Sequence, residues 1–295
     1  MELVIQQTVN AISLGGIYAL LAIGLAVVFS VAGLINIAHG ELMTIGGYVM
    51  LALVGMGAPW PLIVVAIVAA PALAAILMER VAFRPLRGSG PQTLFLSSLV
   101  VAIVLQGLFQ GLISPQPKGI ALPAFLDDSV AIGGVTIGVN AIVTVVVVAL
   151  TLGGLVWFFR RTTVGCSIRA ASLDFDMVRA VGVRANRVIP LAFALSGALA
   201  GIASFLWIAQ RGSVDPLLGL TPVLAAFVAT AVGGLGSTAG AVLGGFLFGG
   251  LTVLFQATLP DGLLPFRDVF TFGLVIAVLA VRPRGLLAAA TGERA

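Results

Sequence analysis

The sequence predicts an all-α fold: a polytopic transmembrane helical bundle of eight or nine spans, some of them short or broken. Three observations carry this prediction. Of 295 residues, 60% are hydrophobic and 9% charged, with a mean hydropathy of +1.19, so there is too little polar side chain to cover a soluble globule. The 37 glycines fit a membrane bundle, because small residues let helices approach where lipid supplies no hydrophobic push between them. The charges, finally, are gathered at the ends of apolar runs.

The net charge of +4 and pI near 10.2 would suggest a nucleic-acid partner in a soluble protein, but the positions of the charges read instead as topology signals, and no nucleic acid is expected. Arg80, Arg84 and Arg87 follow one apolar run. Arg160, Arg161, Arg169, Arg179, Arg184 and Arg187 separate two later ones, and Arg282, Arg284 and Arg294 end the chain. Only Lys118, Arg211 and Arg267 lie elsewhere, in loops that also carry Asp127, Asp128, Asp215, Asp261 and Asp268. Under the positive-inside rule the three arginine clusters are cytoplasmic. Arg84 and Arg87, flanking Pro85, read as membrane-edge anchors and lipid-headgroup contacts.

From these anchors the spans fall near 8–31, 37–57, 61–79, 91–113, 138–159, 188–209, 222–235, 238–258 and 266–281, with the N-terminus outside and the C-terminus cytoplasmic. The first run has no basic leader and outlasts a signal-peptide core, so it is expected to stay as a span. A helix needs about 20 residues to cross the hydrocarbon. The run from Pro222 to Leu235 is too short, which predicts a half-helix or re-entrant segment buried by its neighbours. Residues 1–295 form a single transmembrane domain, with 160–187 as a cytoplasmic loop within it. The outer loop after Ser114 carries Pro115, Pro117 and Pro123 and predicts an irregular surface segment with a short hairpin at A-I-G-G-V-T-I. Cys166 is the single cysteine, which excludes an intrachain disulfide and a cysteine-rich metal site.

Residues Leu34 to Gly47 read L-I-N-I-A-H-G-E-L-M-T-I-G-G and place the lone histidine, His39, beside Glu41 between two apolar stretches. Polar groups at that depth face protein or a solute path rather than lipid. The bland reading is helix-start chemistry, with Asn36 as N-cap and Glu41 favoured by the positive end of the helix dipole. A faint repeat relates His39–Leu51 to Leu235–Phe248, both expected to run outward from the inner side. Paired interruptions of this kind point to the binding region of repeat-built transporters, although glycine-rich helices also resemble one another by composition alone. The candidate path or gate residues are Asn36, His39 and Glu41, with Gly233, Gly234, Gly236 and Ser237 at the second interruption.

In the cytoplasmic stretch from Thr163 to Val183, Ile168, Ala171, Phe175 and Val178 fall on one helical face, while Arg169, Asp174, Asp176 and Arg179 lie mostly off it. Two aspartates make this helix a poor ligand for anionic lipid, so its apolar face is expected to dock on a soluble partner.

Four blocks in order then resemble the permease subunits of branched-chain amino acid ABC importers, of the LivH type. They are N-I-A-H-G-E-L-M (Asn36–Met43), E-R-V-A-F-R-P-L-R (Glu79–Arg87), R-A-A-S-L-D (Arg169–Asp174) with Gly182 downstream, and G-G-L-G-S (Gly233–Ser237). The resemblance spans essentially the whole chain. It implies a bacterial inner (plasma) membrane location, a second LivH/LivM-type permease, two cytoplasmic ABC ATPases and a periplasmic or extracellular substrate-binding protein. Gly165, Ile168, Arg169, Ala170, Ala171, Asp174, Phe175, Val178 and Gly182 then correspond to the ATPase-coupling segment, although a strict Glu-Ala-Ala start is missing.

No G-x-x-x-x-G-K-[ST] phosphate loop is present, so ATP and Mg are expected on the partner ATPases, with no cofactor on this chain and no catalysis by it. The resemblance implies leucine, isoleucine and valine as solutes, with urea, short amides or other amino acids as alternatives. An ion-coupled secondary transporter using Glu41 is a further reading, opposed by the near absence of other intramembrane acids. An intramembrane enzyme using His39 and Glu41 lacks a second histidine and any His-Glu-x-x-His motif.

Overall fold

A 31-residue apolar helix, α1 (Glu2–Ala32), runs through the middle of the molecule, with 83% of its most apolar window buried. The computed structural model describes residues 2–126, 128–132, 135–174, 177–178, 185–282 and 285–287. Around α1 stand α2 (His39–Gly55), α3 (Trp60–Met78), α4 (Pro91–Leu112), α5 (Val139–Arg161), the short α6 (Thr163–Leu173), α7 (Ala185–Arg211), α8 (Leu220–Gly233), α9 (Thr238–Thr258) and α10 (Arg267–Val281). Seven described segments, built on α1, α3, α4, α5, α7, α9 and α10, are long and apolar enough to cross a membrane. The other two apolar helices, α2 with 17 residues and α8 with 14, are not.

Close backbone approach organises the centre. A Cβ on Gly249 of α9 would lie 2.3 Å from the Cα of Gly15 on α1, so these two helices touch main chain to main chain. The α3–α7 seam has a chemical reason as well. Pro71 lacks an N–H, which leaves the carbonyl of Ile67 without its helical donor. Gly201 of α7 lies against that oxygen, with 2.2 Å between it and an added Cβ. By contrast α4, α5 and α10 are peripheral, with only 11%, 17% and 11% of their windows buried, and they present leucine, valine and phenylalanine outward. Hydrocarbon tolerates such a surface where water would not.

The helix ends sort into two faces. At one, Arg87 donates to Asn186 Oδ1 (2.8 Å), and the amides of Leu286 and Leu287 donate to the carbonyls of Val232 and Gly233. The described arginines of all three clusters belong to this end. At the other, β1 (Lys118–Gly119) pairs antiparallel with β4 (Ser213–Val214), tying the loop after α4 to the loop after α7. The A-I-G-G-V-T-I hairpin is present as β2 (Ser129–Ile132) and β3 (Val135–Gly138).

Two expectations need correction. Arg87 does not turn to headgroups: its guanidinium pairs with Glu79, whose side chain is fully buried, while Arg84 stays exposed. A buried carboxylate is costly unless paired, which draws the nearest guanidinium inward. Asn36 is not the N-cap of α2. Ala38 holds that position, and the amides of His39, Gly40 and Glu41 bond back to the carbonyls of Asn36, Ile37 and Ala38, which tightens the turn and leaves no amide for a side-chain cap.

Candidate functional site

Both short helices start inside the bundle. Residues 33–38 enter without helix, and the amide of Ile37 donates to Ser98 Oγ of α4 (3.2 Å), so this irregular stretch is served by protein rather than lipid. From the opposite face the chain after β4 descends past α2, with Val214 against Gly47, to reach Gly219 and start α8. The two beginnings meet at Gly40 and Gly219. A Cβ on Gly219 would sit 1.9 Å from the Gly40 carbonyl oxygen, and one on Gly40 would sit 2.6 Å from that of Gly219. Thr44 locks the junction: its Oγ1 accepts from the Gly219 amide at 3.2 Å and donates to the Gly40 carbonyl at 3.4 Å.

Around this junction lies a row of buried polar groups. His39, with no exposed surface, places Nδ1 3.0 Å from Ser196 Oγ of α7, and its ring fills the space left by Gly24 of α1. Glu41, 1% exposed, accepts from Gln106 Nε2 of α4 through Oε1 (2.8 Å). Asn36 donates to Met78 Sδ at 3.8 Å. Tyr48 packs against Phe109 with the rings tilted at 38° and their centroids 5.1 Å apart. Among the described residues Asn36 Oδ1, Tyr48 OH and Ser204 Oγ, all on or beside α2, are buried without a hydrogen-bond partner, while His39 also has the Leu21 carbonyl and Glu41 the Thr44 hydroxyl near it. An unmatched polar atom costs free energy in an apolar interior, so a concentration of them along one helix marks that helix as built for something other than stability.

The structure brings Asn36, His39 and Glu41 together and leaves Gly233, Gly234, Gly236 and Ser237 elsewhere. Gly233 ends α8, and Gly234, Gly236 and Ser237 belong to the turn into α9, one length of α8 away. Gly234 and Gly236 take φ of 111° and 86°, and Ser237 caps α9 by accepting from the Gly240 amide at 3.0 Å. The sequence repeat therefore does not describe the contact that forms. His39–Leu51 and Leu235–Phe248 run in the same direction, but α2 meets the start of α8 rather than that of α9. Gly219, Thr44, Gln106, Ser196 and Ser204 were missed. Ser196 and Ser204 are hydroxyls inside an apolar run, Gln106 has Gln110 one turn on and Gly219 carries no polar side chain, and no spacing links any of them to α2.

The coupling segment is also rearranged. α6 is capped by Thr162, whose Oγ1 accepts from the Gly165 amide at 3.0 Å, and it ends at Leu173, with Asp174 extended. Ile168 and Ala171, 2% and 3% exposed, are buried with Gly165 against this chain's own bundle. Of the face expected to dock on a soluble partner, Ile168 and Ala171 are thus packed against α5, α1 and α7 of this chain. Arg169 is exposed, Ala170 and Val178 are half-buried, and the outward apolar side chains are Leu173 and Met177. Phe175 and Gly182 lie outside the described residues.

Over residues 7–279 the chain matches the family described as "Branched-chain amino acid transport system / permease component". It is 36% identical over 298 residues to the high-affinity branched-chain amino acid transport system permease protein BraD of Pseudomonas aeruginosa, covering 96% of this chain and 95% of the relative. To the corresponding protein LivH of Escherichia coli K12 it is 33% identical over 297 residues, with coverages of 96% and 95%. The ribose import permease protein RbsC of Escherichia coli K12 is more distant, at 24% over 262 residues and coverages of 85% and 79%. No solved structure matches the chain at a significant level. Matched along nearly its full length, this polytopic helical chain belongs to the family of permease components of branched-chain amino acid transport systems.

Proposed function

We propose that this chain is the non-catalytic membrane subunit of an ATP-driven importer for leucine, isoleucine and valine in a bacterial inner membrane. The observation that carries the reading is the junction of α2 and α8. Two helices too short to span begin inside the bundle, back to back at Gly40 and Gly219, beside buried polar atoms that no described residue satisfies. Broken helices whose ends converge within the membrane are the recurrent way a helical bundle offers polar partners to a solute at depth. Alternating access follows if the junction opens toward one face at a time, driven by two cytoplasmic ATPases that bind ATP and Mg. A second permease and an outer substrate-binding protein complete the assembly. The N-terminus is outside and the C-terminus cytoplasmic, which puts every described arginine cluster on the ATPase side.

Substitution Glu41→Gln tests the junction. The Gln106 bond can persist, because the new side chain keeps an acceptor oxygen, so folding and assembly are expected to hold. Uptake of radiolabelled leucine in proteoliposomes is expected to fall roughly tenfold, the order of a lost charge-assisted contact in a buried path. Uptake equal to wild type at equal membrane abundance would remove the charge from the mechanism. Screening urea and short amides beside the three amino acids decides the solute.

For coupling, the exposed Leu173 is the more informative position than the buried Ile168. Leu173→Glu is expected to preserve thermal stability yet lower the ATPase recovered by affinity purification of the complex, because it places an unpaired charge on the outward end of α6. Full ATPase recovery with full uptake would take α6 out of the interface. Purification of the chain alone, active under an ion gradient, would favour the secondary-transporter reading.

A further inference from the structure

At the arginine-bearing end, a cavity of about 310 Å³ opens between α1, α5, α6 and the start of α9. That lies at the lower end of the ~300–1,000 Å³ typical of small-ligand sites. Its apolar lining is Val27, Val156, Phe159 and Ile168, and its basic lining is Arg160 from the last turn of α5 and Arg169 from α6. No carboxylate lines it. Among the described residues the salt bridges are Arg87–Glu79 and Arg267–Asp268, so neither Arg160 nor Arg169 is paired with a described carboxylate.

The lining also includes Thr238 and Ala239, the first residues of the 21-residue α9. Their amides have no carbonyl one turn back, and the Ser237 cap is used on Gly240. The hydroxyls of Ser30 and Ser172 already donate to the carbonyls of Val27 and Arg169. What the cavity offers is therefore two guanidinium forks and a helix N-terminus, all donors and all positive, beside an apolar lining. Two arginines and a helix start, with no carboxylate in the lining, favour an anion, and this donor set suits tetrahedral phosphoryl oxygens.

We infer that this cavity binds a phosphoryl group, with the headgroup of an anionic phospholipid as its natural source. A basic pocket between helices at the cytoplasmic membrane face is the arrangement that retains such lipids. Because α6 contributes one guanidinium and α5 and α9 the other donors, the bound headgroup ties α6 to the bundle. The inference does not depend on which solute is moved.

The test uses the detergent-purified complex, native mass spectrometry and three probes offered separately: phosphatidylglycerol, diacylglycerol and sodium phosphate. Wild-type protein is expected to retain one phosphatidylglycerol per copy of this chain and no diacylglycerol. Arg160→Gln and Arg169→Gln should each lower that occupancy about fivefold, the effect of one basic residue near an anionic surface. Arg161→Gln removes the same charge one residue away, outside the lining, and should retain the lipid. Retention of phosphate but not phosphatidylglycerol, with the same dependence on Arg160 and Arg169, supports the phosphoryl site and assigns it to a soluble anion. Equal losses in Arg160→Gln and Arg161→Gln would reduce the effect to general surface charge and overturn the site, as would retention of no probe or of diacylglycerol alone. ATPase recovery, measured on the same samples, separates loss of the anion from loss of coupling through Arg169.

Discussion

Replacing Gly219 with alanine is expected to disable transport while leaving the rest of the bundle recognisable. The added methyl would stand 1.9 Å from the carbonyl oxygen of Gly40 and 2.4 Å from its carbonyl carbon, where no flexible side chain is available to yield. To regain ordinary contact the starts of α2 and α8 must separate by more than an ångström, and the Gly219 amide then leaves Thr44. Overpacking of this kind costs about 1–3 kcal/mol, and here it falls on the junction itself. The expected result is a loss of uptake of roughly tenfold or more at equal membrane abundance, with a lowered melting temperature. Gly250→Ala is the matched control, since nothing lies within 4 Å of a Cβ there, and it should behave as wild type. Normal uptake in Gly219→Ala would show that α2 and α8 are not held in contact during transport.

The second large effect is expected at Arg87. Alanine there strands the fully buried carboxylate of Glu79 and severs the bond to Asn186 that ties the α3–α4 turn to the start of α7. Removing one partner of a buried pair costs about 3 kcal/mol. Thermal unfolding of the purified complex should show it. The double replacement Glu79→Met with Arg87→Leu should recover most of the loss, because two apolar side chains leave no charge unpaired. A melting temperature for Arg87→Ala equal to wild type would mean that Glu79 finds another partner or is reached by water.

The site and the fold were legible to different degrees. Asn36, His39 and Glu41 stand out in a chain with 9% charged residues, because an ionisable group between apolar runs has few reasons to be there. The short run at Pro222–Leu235 likewise announces α8 by its length alone. Gly233, Gly234, Gly236 and Ser237 stand out in the sequence as the second interruption of a faint repeat, yet the positive φ of Gly234 and Gly236 and the Ser237 cap make this segment the turn between α8 and α9. Glycine enrichment does not distinguish a turn from a close crossing. The 3.6-residue pattern correctly put Ile168 and Ala171 on one face of α6, but a pattern identifies which face is apolar without naming what covers it.

Hydropathy and helix length are local quantities set by the bilayer, so a membrane bundle and the approximate place of most of its apolar helices could be read from the chain alone, although α1 begins at Glu2 rather than near residue 8 and α6 ends at Leu173. That Gly40 meets Gly219, that Gln106 reaches Glu41, that Glu79 claims Arg87 and that α6 packs on its own chain emerge only from the packed bundle. Each of these is a contact between segments far apart in sequence, fixed by which backbones can approach and which buried polar groups must find one another. No local pattern encodes that pairing.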